Sequence, residues 1–94
     1  MGILRKALHS PVHGSVIGIE VVVGQAVRAG QTLLLLEAMK MEVPLEAGEP
    51  GIVRAISAAV GDVVGEGALL TTNISKLHRL IINLIPYIIL RLNN

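Results

Sequence analysis

Ninety-four residues with a formal net charge of +1 make one small domain, and no basic stripe interleaved with aromatics is present, which argues against a nucleic-acid surface. Cysteine, Phe and Trp are absent, so disulfide and thiolate chemistry are excluded and the core has to be built from Val, Ile and Leu. The charge is uneven: residues 1–72 carry five Lys or Arg against seven Asp or Glu, while residues 73–94 carry three against none. In chain order, residues 1–9 read as a leader. Arg5 and Lys6 are not followed by the apolar run of a signal peptide, and Lys6 stands where a myristoylation signal needs Ser or Thr, so a cytoplasmic location is expected. Residues 15–23 and 52–60, rich in β-branched side chains, read as strands that end at Gly24 and Gly61. Each runs into the pattern Val-Gly-x-x-Val-x-x-Gly-x-x-Leu, from Val23 to Leu33 and from Val60 to Leu70, in which glycines supply tight reversals and Val27 and Val64 face the core. Many short strands between tight turns indicate an all-β sandwich or flattened barrel.

The two patterns are parts of one internal repeat. A shift of 37 positions superimposes Gly14 on Gly51, Gly24 on Gly61 and Gly30 on Gly67, and brings Val16 onto Val53, Ile19 onto Ile56 and Leu33 onto Leu70. The midpoint between Gly14 and Gly67 falls beside Lys40. If the copies pack about a pseudo-twofold axis, the link that carries Lys40 is expected near that axis. Leu33 to Leu36 lead into this link, and Met41-Glu42-Val43-Pro44-Leu45 returns from it. Pro44 has no N–H to donate, which places the return strand at a sheet edge or at the start of a pairing. The reversal itself, Glu37-Ala38-Met39-Lys40, lacks the Asn, Asp or Gly that hairpins favour, and such a break with local preference is expected where function selects the residues.

With Ser10-Pro11, Gly14, the repeat and Ala38-Met39-Lys40-Met41 assembled, residues 10–72 resemble the biotinyl domain of biotin-dependent carboxylases, the biotin carboxyl carrier family. The resemblance implies a barrel-sandwich hybrid of two four-stranded sheets with the modified lysine on an exposed hairpin. It also implies biotin joined to Lys40 by an amide bond, installed by a biotin protein ligase. Met39, Met41 and Ala38 are then the flanking residues of the motif. The chain is expected to be non-catalytic, carrying a carboxyl group between a biotin carboxylase and a carboxyltransferase. The interval from Gly14 to Gly24 leaves no room for an added thumb loop, which fits a thumbless carrier, and Val12-His13 departs from the Met-Pro pair common after Ser-Pro. A lipoyl carrier shares this fold, although its lysine usually follows an acidic residue where this chain has Met39. A β domain that is never modified and serves a structural or partner-binding role is the third reading.

Other residues invite blander readings. An exposed lysine is ordinarily just solvated, and methionines ordinarily fill gaps in a core; the position of Lys40 in the repeat argues for more. His9 and His13 are separated by Pro11 and lack a third ligand, so no metal is expected. Ser10, Ser15 and Ser57 have no recognisable base and acid partners. No Gly-Lys-Ser/Thr follows the glycines.

Residues 73–94 form an atypical apolar tail that holds all four asparagines of the chain and no Gly, Ala, Val or acidic residue. Ile74, Leu77, Ile81, Leu84 or Ile85, Ile88 and Leu92 recur at helical spacing with Lys76, Arg79 and Asn83 on another face, which suggests an amphipathic helix as far as Pro86. It is too short and interrupted for a membrane span. A docking helix, a membrane-surface helix and sequence foreign to the domain are the alternatives, and the composition favours the last.

Overall fold

Alternating Val, Ile and Leu positions separated by glycine turns produce eight strands and, through the first 75 residues, no helix among the described residues. The computed structural model describes residues 5–75, 84–87 and 89–91. The strands are β1 (Arg5–His9), β2 (Gly14–Ile19), β3 (Ala26–Val27), β4 (Thr32–Ala38), β5 (Met41–Glu46), β6 (Gly51–Ile56), β7 (Val63–Val64) and β8 (Leu69–Ser75). They form two four-stranded antiparallel sheets, ordered β1-β8-β6-β3 and β5-β4-β2-β7.

The 37-residue shift carries β1, β2, β3 and β4 onto β5, β6, β7 and β8 and exchanges one sheet for the other. It carries the pairing with it: Ser15↔Glu37 becomes Ile52↔Ile74, and Leu8↔Thr71 corresponds to Leu34↔Leu45. Backbone bonds outside the strands repeat too. The Gly61 N–H donates to Val16 O and the Gly24 N–H to Val53 O, each at 2.8 Å. Gly24, Gly30, Gly61 and Gly67 all take positive φ, between 84° and 97°, as the turn reading expects.

Packing explains why Leu33 and Leu34 are both fully buried although neighbours on a strand should face opposite ways. Thr32 pairs with Glu46 and Leu34 with Leu45, so Leu33 is an extra residue in a bulge, and two successive side chains turn inward. The same irregularity between Leu8 and His9 lies opposite Leu70 and Thr71, which are also both buried. Val16, Val21, Val27, Leu36, Leu45, Ala47, Val53 and Leu70 complete the apolar interior between the sheets.

Four sequence expectations need correcting. The strands begun near residues 15 and 52 stop at Ile19 and Ile56 rather than Val23 and Val60: each makes one more bond in register with its partner strand, Glu20 N–H to Leu33 O and Ser57 N–H to Leu70 O, at the bulged residue of that partner. β1 occupies part of the supposed leader, and β8 runs three residues past position 72, since β1 edges the sheet in which β8 is a central strand. Ile74 therefore pairs with Arg5 and Ile52 instead of opening a tail helix; residues 76–83 lie outside the described residues, and 84–87 and 89–91 are helical. Finally, the link bearing Lys40 is not beside the axis. Its counterparts under the shift are the open ends of β1 and β8, where a groove of about 310 Å³ brings Asn73 and Ser75 near Leu33 and Ala47, at the far end of the sandwich from the β4–β5 turn.

Candidate functional site

β4 and β5 pair down to Ala38↔Met41, so only Met39 and Lys40 make the reversal. Of the two-residue hairpin loops that match the right-handed twist of their strands, the type I′ turn needs positive φ at both positions. Met39 has φ 52° and Lys40 φ 65°, close to ideal left-handed helical backbone, and among the described residues no other non-glycine residue has positive φ. Each such residue costs about 1 to 3 kcal/mol. Packing does not offset that cost at Met39, which is 95% exposed; Met41 is 68% exposed and Lys40 is exposed as well. The amine thus stands at a tip, on a backbone whose direction is set by a rigid ladder. Of the four residues marked from sequence, Met39, Lys40 and Met41 are solvent-facing and Ala38 is half-buried at the ladder's last pair. The methionines are not core fillers.

Two features beneath the tip escaped the sequence reading. Gly14 is buried on β2, where an added Cβ would sit 2.5 Å from the Glu37 carbonyl oxygen and 3.4 Å from the Ala38 Cβ. Absence of a side chain lets β2 press against the last turn of the ladder. Its repeat partner Gly51 makes the same approach to the Ile74 carbonyl oxygen at 2.6 Å, so the coincidence of the two glycines in the repeat was the available signal. Second, Glu37 and Glu42 are direct cross-strand partners and both exposed, two like charges facing each other one rung below the turn.

The bend before β2 is also tied down. Buried Ser10 donates its hydroxyl to Val12 O at 2.5 Å, while its backbone bonds Ala68 O and the Gly67 N–H. Val12 and His13 ride this bend into Gly14; His9 and His13 are exposed. Residues Ser15 and Ser57 sit at a strand and past a strand end, respectively, with Ser57 exposed. Among the described residues, no helix is long and apolar enough to cross a membrane.

Residues 6–72 match the family described as biotin-requiring enzyme. The mitochondrial propionyl-CoA carboxylase alpha chain of Homo sapiens is 44% identical over 65 residues, which are 69% of this chain and 9% of that protein. The biotinylated protein TB7.3 homolog of Mycobacterium leprae is 41% identical over 67 residues, covering 71% of this chain and 94% of that one. Among solved structures, a single-chain, multi-domain long-chain acyl-CoA carboxylase superposes with a TM-score of 0.74 at 30% identity, over 82% of this chain and 8% of its own. The urea carboxylase of Kluyveromyces lactis gives 0.71 at 31% identity, over 74% and 6%. The chain thus spans 9% of the human carboxylase chain but nearly the whole of the mycobacterial relative.

Proposed function

The chain belongs to the biotin-requiring enzyme family as a biotin carboxyl carrier domain, and from that membership we propose that Lys40 is the residue to which biotin is attached. The observation that carries this reading is the exposed amine of Lys40 on a strained two-residue turn between two solvent-facing methionines. An acyl group fits there because Lys40 is exposed in the loop beyond the last rung of the ladder, Ala38↔Met41. Attachment is amide formation: a biotin protein ligase joins the carboxyl of biotin to the AMP part of ATP with release of pyrophosphate, and Nζ, having lost two protons from its ammonium form, bonds the carboxyl carbon as the C–O bond to AMP breaks and AMP leaves.

When bound, biotin supplies a ureido nitrogen able to carry a carboxyl group; the chain supplies attachment and presentation. Making the amide removes the ammonium charge, so the tip of the hairpin enters a partner's site at lower desolvation cost. Exposed Met39 and Met41 offer that partner polarizable apolar contact. The partners of this reading are the ligase, a biotin carboxylase and a carboxyltransferase, and the chain itself performs no chemistry on the acceptor. Tethering keeps the group at high effective concentration at both partner sites. A cytoplasmic setting belongs to the same reading.

Lys40→Arg keeps the charge but lacks an acylatable amine. With ligase, ATP and biotin, the wild-type chain gains one biotin by intact mass while Lys40→Arg gains none and keeps the wild-type thermal transition. A biotin increment on the variant overturns the assignment. A lipoyl increment on protein isolated from its own cells points instead to the lipoyl carrier, and an unmodified lysine in cells with active ligase points to a structural domain.

A further inference from the structure

The two repeats depend on each other for most of their strand pairing. Residues 5–38 supply β2 and β4 as neighbours in one sheet, but their β1 and β3 lie at opposite edges of the other, with β8 and β6 of the second repeat between them. Four of the six strand pairings, β1 with β8, β3 with β6, β4 with β5 and β2 with β7, therefore join one repeat to the other. A repeat must find a complementary repeat, and nothing in these pairings requires it to come from the same chain.

The connector between the repeats is the Met39–Lys40 turn. It is as short as a hairpin loop can ordinarily be, both of its residues are in the left-handed region, and Met39 gains no burial in return. Short hinge loops under strain favour exchange of identical elements between copies, because opening the hinge releases the strain while every other contact is remade.

We propose that the chain forms a strand-exchanged dimer with a second copy of itself, in which the Met39–Lys40 turn opens and β4 runs straight into β5. Residues 5–38 of one copy then pack with residues 41–75 of the other, twice. The β4–β5 register pairs Glu37 with Glu42 and Ala38 with Met41. Continued through the opened hinge, it sets Lys40 of each copy opposite Met39 of the other in a two-stranded ribbon between the two sandwiches. Lys40 no longer stands at a tip. On the reading of Lys40 as the attachment residue, the monomer accepts biotin and the exchanged dimer does not, so the turn doubles as a control on which molecules become carriers.

Exchange needs the repeats to separate, so it is set during refolding. The full 94-residue chain, unfolded in denaturant and refolded at high concentration, is expected to show by native mass spectrometry a species of twice the chain mass that survives dilution. Met39→Gly, which adopts φ 52° without strain, is expected to lower the dimer fraction, and Met39→Pro, whose ring forbids positive φ, to raise it. Should Met39→Pro fail to fold, the wild-type and Met39→Gly pair decides. Wild-type protein that refolds only to monomer, a dimer that dissociates at once on dilution, or a dimer fraction unmoved by Met39→Gly overturns the proposal. Incubation of the separated species with ligase should label the monomer and spare the dimer; equal labelling of both overturns the masking. A monomer that is never labelled counts against the attachment site instead, and the native masses then decide exchange by themselves.

Discussion

Leu34 and Leu36 on β4 occupy the same places in the repeat as Thr71 and Asn73 on β8, yet the first pair has no exposed area and the second buries Thr71 Oγ1 and Asn73 Oδ1 without a hydrogen-bond partner among the described residues. Backbone pairing is the same in both halves, so the difference lies in side chains alone. Of the two sheets that share the interior, the one that holds Lys40 contributes apolar side chains at these places, and the other contributes polar atoms that burial penalises. Stability is therefore distributed unequally across a symmetric fold.

The largest effect expected from this asymmetry is on the apolar side. Leu36→Ala should lose about 2 to 5 kcal/mol of unfolding free energy, as large-to-small changes do in a close-packed core. At the matching interior of the other half, Thr71→Val, which keeps the shape and deletes an unpartnered hydroxyl, should gain about 1 kcal/mol. Denaturant midpoints on the two variants check both signs; a loss at Thr71→Val would mean that its hydroxyl is satisfied in solution and the halves are alike.

A second comparison tests what the repeat shares. Gly14→Ala and Gly51→Ala each force a Cβ against a backbone carbonyl, Glu37 O or Ile74 O, and each should cost about 1 to 3 kcal/mol. Only Gly14 lies under the hairpin. Ligase labelling of the folded proteins should therefore slow for Gly14→Ala and hold for Gly51→Ala, and equal slowing would break the link between β2 and the turn.

The smallest effect concerns charge. Glu37 faces Glu42, whereas the equivalent rung of the other half pairs Ile74 with Arg5 and carries no like-charge conflict. Glu42→Lys should raise stability by no more than about 1 kcal/mol at low salt, read from the thermal midpoint, with the gain shrinking as salt is added. A gain independent of salt would assign the effect to packing.

Much of this was written along the chain. The repeat, the glycine turns, the edge position of the strand with Pro44 and the connecting turn with Lys40 all depend on spacing between residues close in sequence, and spacing is what a sequence displays directly. Bulges, strand ends and the pole to which the turn belongs depend on which distant residues pair. Nothing near Leu33 announces that it is the extra residue opposite β5, nothing near Ile19 announces that β2 ends there, where its partner strand bulges, and nothing in residues 5–9 shows that they edge a sheet in which β8 is a central strand. That two like units meet at an unusual Met-Lys reversal could be read from residue order without coordinates. That this reversal stands at one end rather than on the axis came from the pairing of the sheets, because a twofold that swaps them must carry the hairpin onto the open ends of β1 and β8.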